Sequence, residues 1–157
     1  MKQLLSRVVV LLFIIFGRVA PSLGQVHADV DDIRARFIGA WRLAWLEEPD
    51  ASGKLHRAEC TGLLVYTPDG HMSVQVMYRN PQAATNAVQY AQGGYEASFG
   101  TYEIDERAHT FTFHVEGALV RSLIGRDLKR VYELSGNQLI VSAPDANEHW
   151  KVAWEHY

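Results

Sequence analysis

Apolar and polar residues alternate in short segments along most of the chain, as they do in half-buried β-strands. The alternation is clearest between residues 98 and 134, where turn-like breaks separate three such segments. The pattern predicts eight strands, at about residues 38–46, 61–67, 71–78, 98–104, 110–115, 128–134, 138–142 and 150–155. Short connections between so many strands favour an antiparallel barrel, because closure leaves no unpaired edge.

Turn and helix signals separate these strands. Pro68-Asp69-Gly70 is the strongest turn signal and predicts a hairpin between the second and third strands. The segment Pro81–Gln92 is rich in Ala and Gln and ends at Gly93-Gly94, so it predicts one short helix between the third and fourth strands. Asp31 and Asp32 are suited to cap one or two helical turns ahead of the first strand.

The first 28 residues have the composition of a cleavable signal peptide. Lys2 and Arg7 accompany an unbroken apolar run, Val8–Phe16, whose nine residues are too few to cross a bilayer. Small residues then allow cleavage after Gly24 or after Ala28. An uncleaved amphiphilic anchor is the alternative. We expect export, to the periplasm or outside the cell.

The remaining residues, 29–157, are predicted to form one domain, since about 130 residues suffice for a single core. The whole chain has 15 basic and 18 acidic residues. Loss of Lys2, Arg7 and Arg18 with the leader leaves 12 basic residues and a net charge of −6. Because this charge repels polyanions, we expect neither nucleic acid nor an anionic membrane as partner, and no stable membrane insertion.

Cysteine and histidine usage gives no sign of a cross-link or a metal centre. Cys60 is the single cysteine, so no disulfide can form within the chain. The seven histidines include no pair at the spacing of a zinc motif. We therefore expect no metal and no cofactor, although a barrel can assemble ligands for a metal or haem from distant strands.

Five motifs resemble, in their order along the chain, the bacterial and fungal lipocalin-like domain family. They are Gly39–Leu43, Gly62–Ser73, Phe99–Asp105, His114–Gly117 and Trp154-Glu155. The resemblance covers nearly the whole mature chain and implies an eight-stranded antiparallel calyx that can hold a small, largely apolar molecule. It also implies that Trp41 closes the barrel floor and that a basic residue from a late strand packs on its ring. Arg130 is the candidate for that structural partner. The resemblance implies no particular reaction.

The fifth predicted strand leaves two registers open. If Phe111, Phe113 and Val115 point inward, as apolar burial favours, His114 is an ordinary surface residue. If the opposite face points inward, His114 can hydrogen-bond to a bound molecule, with Tyr102 beside it on the neighbouring strand. Members of the family often have two consecutive histidines where this chain has Phe113-His114. Of that pair, this chain therefore has only the histidine at position 114.

These observations predict an exported barrel that binds a small hydrophobic or amphipathic molecule in its central cavity. The candidate ligand contacts are a histidine and aromatic side chains, which combine apolar area with a polar group: His114, Tyr102, Trp45, Tyr66, Tyr78 and Trp154. The alternative is a barrel enzyme of the isomerase or cyclase type, in which His114 and Tyr102 transfer a proton on a small apolar substrate.

Overall fold

The computed structural model describes residues 33–81 and 90–157, and these form an antiparallel β-barrel. Its strands are β1 (Gly39–Pro49), β2 (Leu55–Arg57), β3 (Cys60–Tyr66), β4 (His71–Tyr78), β5 (Tyr95–Asp105), β6 (Thr110–Ala118), β7 (Asp127–Ser135), β8 (Gln138–Ser142) and β9 (Lys151–His156). Each strand from β3 to β9 pairs with the next, and pairing of β1 with both β3 and β9 closes the barrel. The predicted closed eight-stranded barrel is confirmed, with β2 as a short addition beside the end of β1.

A helical turn over residues 33–37 precedes β1 and covers one end of the barrel. Its last residue, Phe37, is fully buried and accepts a 2.8 Å hydrogen bond on its carbonyl oxygen from Nε1 of Trp41. The Phe37 ring makes edge contacts with the rings of Tyr66, Phe111 and Tyr132, at centroid distances of 5.0 to 6.0 Å. This end of the barrel is therefore filled by aromatic side chains.

The described α-helical turn lies where one or two helical turns were expected ahead of the first strand, and not where the one short helix was predicted. The prediction put it between the third and fourth barrel strands, whereas the α-helical turn in the described part of the chain precedes β1. Most of the predicted helix, residues 82–89, lies outside the described residues, as do Asp31 and Asp32. The end of that segment is extended instead, because Gln92 and Tyr95 bridge across a tight glycine turn and the chain enters β5 directly.

A β-bulge in β1 changes which side chains face the interior. β1 has one residue more than β9 between Leu43 and Trp45, so the alternation of faces shifts by one position there. Trp41 lies inside before the bulge, and Glu48 lies inside after it. Trp45 lies outside, where the Arg57 guanidinium carbon is 5.0 Å from its ring centroid. A regular strand would instead place Trp41 and Trp45 on one face.

Strand β6 has its apolar face inward. Phe111, Phe113 and Val115 are buried, and the two phenylalanines contact the interior cavity. His114 is on the outer face, with Nδ1 2.7 Å from a carboxylate oxygen of Asp127. The register that would have placed His114 inside is therefore not the one adopted, since burial of the two rings decides it.

The hairpin predicted at Pro68-Asp69-Gly70 joins β3 to β4, and Gly70 has a positive φ of 90° there.

Across residues 33–81 and 90–157, no helix has the length and apolar character needed to cross a membrane.

Candidate functional site

The barrel interior contains a partly open cavity of about 100 Å³. On this measure of volume one water occupies roughly 10 to 15 Å³. The cavity can therefore hold several waters or one small molecule. The wall is mainly apolar and includes Leu64, Val76, Phe111, Phe113, Val141 and Val152. An apolar interior with a few placed polar groups is typical of small-molecule sites.

Glu48 and Tyr78 form a buried pair on this wall. Glu48 is only 3% exposed, and its Oε2 accepts a 2.8 Å hydrogen bond from the Tyr78 hydroxyl. Burial raises the pKa of the Glu48 carboxyl, and the hydrogen bond from Tyr78 offsets part of that rise. Burial and the neighbouring carboxylate also raise the pKa of Tyr78. The phenol therefore stays protonated and acts as the hydrogen-bond donor.

Glu96, near the start of β5, is a second carboxyl group on the cavity wall. Burial raises its pKa to about 7, and the positive charge of Arg130 opposes that rise. The chain enters β5 at Tyr95, three residues before the strand start predicted from the sequence, so Glu96 belongs to the sheet rather than to a loop. A carboxyl with this pKa changes charge close to neutral pH.

Arg130 lies between two aromatic rings at the cavity wall. Its guanidinium carbon is 4.9 Å from the Tyr90 ring centroid and 5.1 Å from that of Trp150. Both aromatic residues donate hydrogen bonds to Oε2 of Glu148, from the Tyr90 hydroxyl at 3.0 Å and from the Trp150 indole nitrogen at 2.9 Å. Glu148 thus holds both rings, and the rings hold the guanidinium between them.

This placement corrects the partner assigned to Trp41. The expected cation–π contact joined Arg130 to Trp41, but the guanidinium stacks on Tyr90 and Trp150 instead. The ring next to Trp41 is that of His156, at 4.7 Å between centroids. Arg130 contributes to the wall of the cavity, whereas Trp41 is buried beside the helical turn.

The Tyr66 hydroxyl is a buried polar group without a hydrogen-bond partner in the described part of the chain. Tyr66 is 1% exposed and contributes to the cavity wall. Burial raises the pKa of its phenol, so the group stays neutral. Buried hydroxyls are usually hydrogen-bonded, and a water or a ligand in the cavity is a source of the missing partner.

The candidate contacts chosen from the sequence fall into three groups. Tyr66, Tyr78 and Trp154 line the cavity. Tyr102 is buried with its ring 4.8 Å from that of Tyr66, but its hydroxyl donates to the backbone oxygen of Thr67 at 3.3 Å, away from the cavity wall. Trp45 and His114 lie on the outer surface of the barrel, for the reasons given above.

The charged side chains of the cavity wall were not predicted as site residues from the sequence. Glu48 and Glu96 were not candidates, and Arg130 was assigned to another contact. Glu48 faces the cavity because of the bulge in β1, and Glu96 because β5 begins early. The tight turn at Gly93-Gly94 was the sequence signal for the early start of β5. In the described chain no group of three or more His, Cys, Asp or Glu side chains is arranged to hold a metal ion.

Solved structures and a family profile that are similar to this chain are known. A redesigned β-barrel of known structure has a TM-score of 0.44 at 10% identity, with 79% of this chain and 94% of that chain covered. An uncharacterised protein from Bacteroides eggerthii has a TM-score of 0.46 at 12% identity, with 77% of this chain and 99% of that chain covered. The search of curated proteins gives no match. The profile of the lipocalin-like domain matches residues 38–156, which span the whole barrel. The chain therefore belongs to the lipocalin-like domain family.

Proposed function

We propose that this protein binds a small amphipathic molecule in the barrel cavity, with the apolar part against the inner wall and a polar group near the carboxyls. The observation that carries the proposal is the mainly apolar cavity inside the barrel, with a few polar side chains on its wall. The lipocalin-like barrel is a ligand-binding architecture in general. The cavity chemistry is specific to this chain.

The alternative of an isomerase or cyclase that uses His114 and Tyr102 receives no support from the positions of those residues. His114 faces away from the cavity and pairs with Asp127. The Tyr102 hydroxyl is engaged with the backbone of Thr67. Proton transfer requires a group within hydrogen-bond reach of the substrate, and neither residue meets that condition in the cavity.

A binding experiment tests the proposal directly. Trp150 and Trp154 line the cavity, so occupancy should change tryptophan emission during titration with a neutral apolar dye such as Nile red. Val76→Phe should fill part of the cavity and weaken dye binding by about tenfold or more. Met77→Phe adds a ring at the adjacent, half-exposed position of the same strand and should leave binding unchanged. Equal affinities for the two variants, both folded by circular dichroism, would contradict binding in the cavity.

We further propose that the protein is exported after removal of a signal peptide. Lys2, Arg7 and the apolar run Val8–Phe16 support this. Intact-mass measurement of the exported protein should give a mature chain that begins at Gln25 or Asp29. Recovery of the full-length chain in the membrane fraction would contradict cleavage and favour the uncleaved anchor.

A further inference from the structure

The cavity wall has an excess of acidic groups. Glu48 and Glu96 both contribute to it, and Arg130 is the basic residue among the side chains that line it in the described part of the chain. The described residues form three salt bridges, and neither glutamate takes part in any of them. Two carboxyls are therefore held in a largely apolar cavity with no cation in direct contact.

Arg130 is poorly placed to bind a ligand carboxylate. Tyr90 and Trp150 cover it, and Nη1 donates to the backbone oxygen of Lys129 at 3.0 Å. Its charge also acts on the Glu96 carboxyl, whose pKa it lowers against the effect of burial. An anionic ligand in the cavity would thus meet two carboxyls and a cation that is already engaged.

Two tyrosines extend the acceptor surface. The Tyr78 hydroxyl donates to Glu48, and Glu96 pairs in the sheet with Val76, two residues before Tyr78 in β4, so both carboxyls lie on the same side of the cavity wall as Tyr78. Independently, the buried Tyr66 hydroxyl on the same wall lacks a hydrogen-bond partner within the described chain. A ligand with several N–H donors satisfies more of these groups than a ligand with one O–H.

We propose that the ligand is a small apolar amine whose ammonium group faces the carboxylates of Glu48 and Glu96. This inference rests on the proposed function, binding in the cavity. A protonated amine supplies the positive charge that this part of the wall lacks, and the apolar wall accommodates its hydrocarbon part. Charge-assisted hydrogen bonds of this kind are about twice as strong as neutral ones. An alcohol of the same shape gains neutral bonds only, and a carboxylic acid is repelled when ionised.

The test uses three ligands with one skeleton: 2-phenylethylamine, 2-phenylethanol and 3-phenylpropanoate. Calorimetric titration of the full protein at about pH 8, where the amine is protonated and Glu96 is ionised, should give an affinity for the amine about tenfold above that for the alcohol. The carboxylate should bind most weakly. Carboxylate affinity equal to or above amine affinity would overturn the inference.

Substitutions locate the effect. Glu96→Gln should lower amine affinity about tenfold and leave alcohol affinity within about twofold. Glu103→Gln removes an exposed carboxylate from the same strand and should change neither affinity. If Glu96→Gln does not fold, Glu48→Gln provides the same comparison from β1. Amine binding that is unaffected in a folded cavity variant would overturn the inference.

Proton linkage gives a readout that a purely structural glutamate would not produce. At about pH 7, binding of an ammonium group next to partly protonated Glu96 should release a fraction of a proton, visible as a dependence of the binding enthalpy on the buffer. The charged and titratable groups around it, Glu48, Tyr78, Tyr90 and Arg130, are unchanged in the Glu103→Gln control. The alcohol should release none, and equal release by amine and alcohol would overturn the inference.

The outcomes separate the two proposals. Binding of Nile red or of the alcohol without a preference for the amine contradicts the amine inference and leaves cavity binding intact. Failure of the dye and of all three ligands to bind contradicts both.

Discussion

At the scale of single residues, the two cavity tyrosines should respond in opposite ways to loss of their hydroxyl. The Tyr66 hydroxyl is buried and unpartnered within the described chain, so Tyr66→Phe should leave the free energy of unfolding unchanged or raise it by up to about 1 kcal/mol. Tyr78→Phe removes the hydrogen bond to the buried Glu48 carboxyl and should lower it by about 1 to 3 kcal/mol. Urea unfolding of both variants measures the difference. A larger loss for Tyr66→Phe would show that its hydroxyl has a partner.

The two tryptophans of β1 provide a second residue-scale prediction. Trp41 is 1% exposed, contacts the His156 ring and donates to the Phe37 carbonyl oxygen, so Trp41→Ala should cost about 3 to 5 kcal/mol. Trp45 lies on the outer face against Arg57, and Trp45→Ala should cost clearly less. Chemical denaturation checks the order. Equal losses would mean that the bulge does not place Trp45 outside.

The candidate residues that line the cavity are those whose inward direction follows from alternation alone. Tyr66, Tyr78 and Trp154 each lie on the apolar face of a regular strand, and each lines the cavity. Glu48 could not be found in this way, because its inward direction depends on the extra residue in β1. A carboxyl in a turn-rich segment also looks like a solvated residue until the barrel closes around it.

At the scale of elements, the second bulge of the barrel depends on a glycine. Between Phe99 and Gly100 the pairing of β5 with β6 shifts, and Glu116 is the extra residue of β6. A Cβ on Gly100 would stand 1.9 Å from the carbonyl oxygen of His114, which is backbone and cannot move aside as a side chain does. Close approach of the two strands therefore requires glycine here.

This requirement yields an element-scale prediction. Gly100→Ala should lower the free energy of unfolding by about 2 kcal/mol or more, because the strands must separate at the bulge. Gly136→Asn is the control: Gly136 has a φ of 56°, which asparagine tolerates, and nothing lies within 4 Å of an added Cβ. Thermal melts of the two variants should differ clearly. A fully stable Gly100→Ala protein would contradict the close approach.

The positions of the strands could be predicted better than the face of the sheet on which each residue lies. All eight barrel strands were predicted, since each has an alternating apolar pattern and a turn signal at its end. The bulges at Leu43/Trp45 and Phe99/Gly100 leave no such signal, because one extra residue alters pairing without altering composition. The same limit applies to β5, whose first residues pair with β4 although Tyr95 and Glu96 precede the alternating run.

At the scale of the whole molecule, aromatic packing and polar groups occupy different parts of the barrel interior. The helical turn at 33–37 and Trp41 fill one end with rings. The carboxyls and Arg130 share the cavity wall with Tyr90 and Trp150. The cavity wall and the aromatic end can therefore be changed largely separately, because Tyr66 and Phe111 are the side chains that the two sets share.

The last prediction concerns the pH dependence of the stability of the whole barrel. The pKa of Glu96 rises from 4.5 to about 7 on folding, so between these values the folded state holds a proton that the unfolded state has lost. The contribution of this group to the free energy of unfolding then falls as pH rises from about 4.5 to about 7, by up to about 3 kcal/mol. Glu96→Gln should flatten that decline, whereas Glu103→Gln should retain it. Urea unfolding at a series of pH values gives the free energy of unfolding of wild type and variant, and their difference is plotted against pH. Asp50 and Asp69 have lowered pKa values and contribute with the opposite sign, but their contributions are the same in both proteins and cancel in the difference. Parallel profiles for wild type and Glu96→Gln would show that the Glu96 carboxyl is solvated rather than buried at the cavity wall.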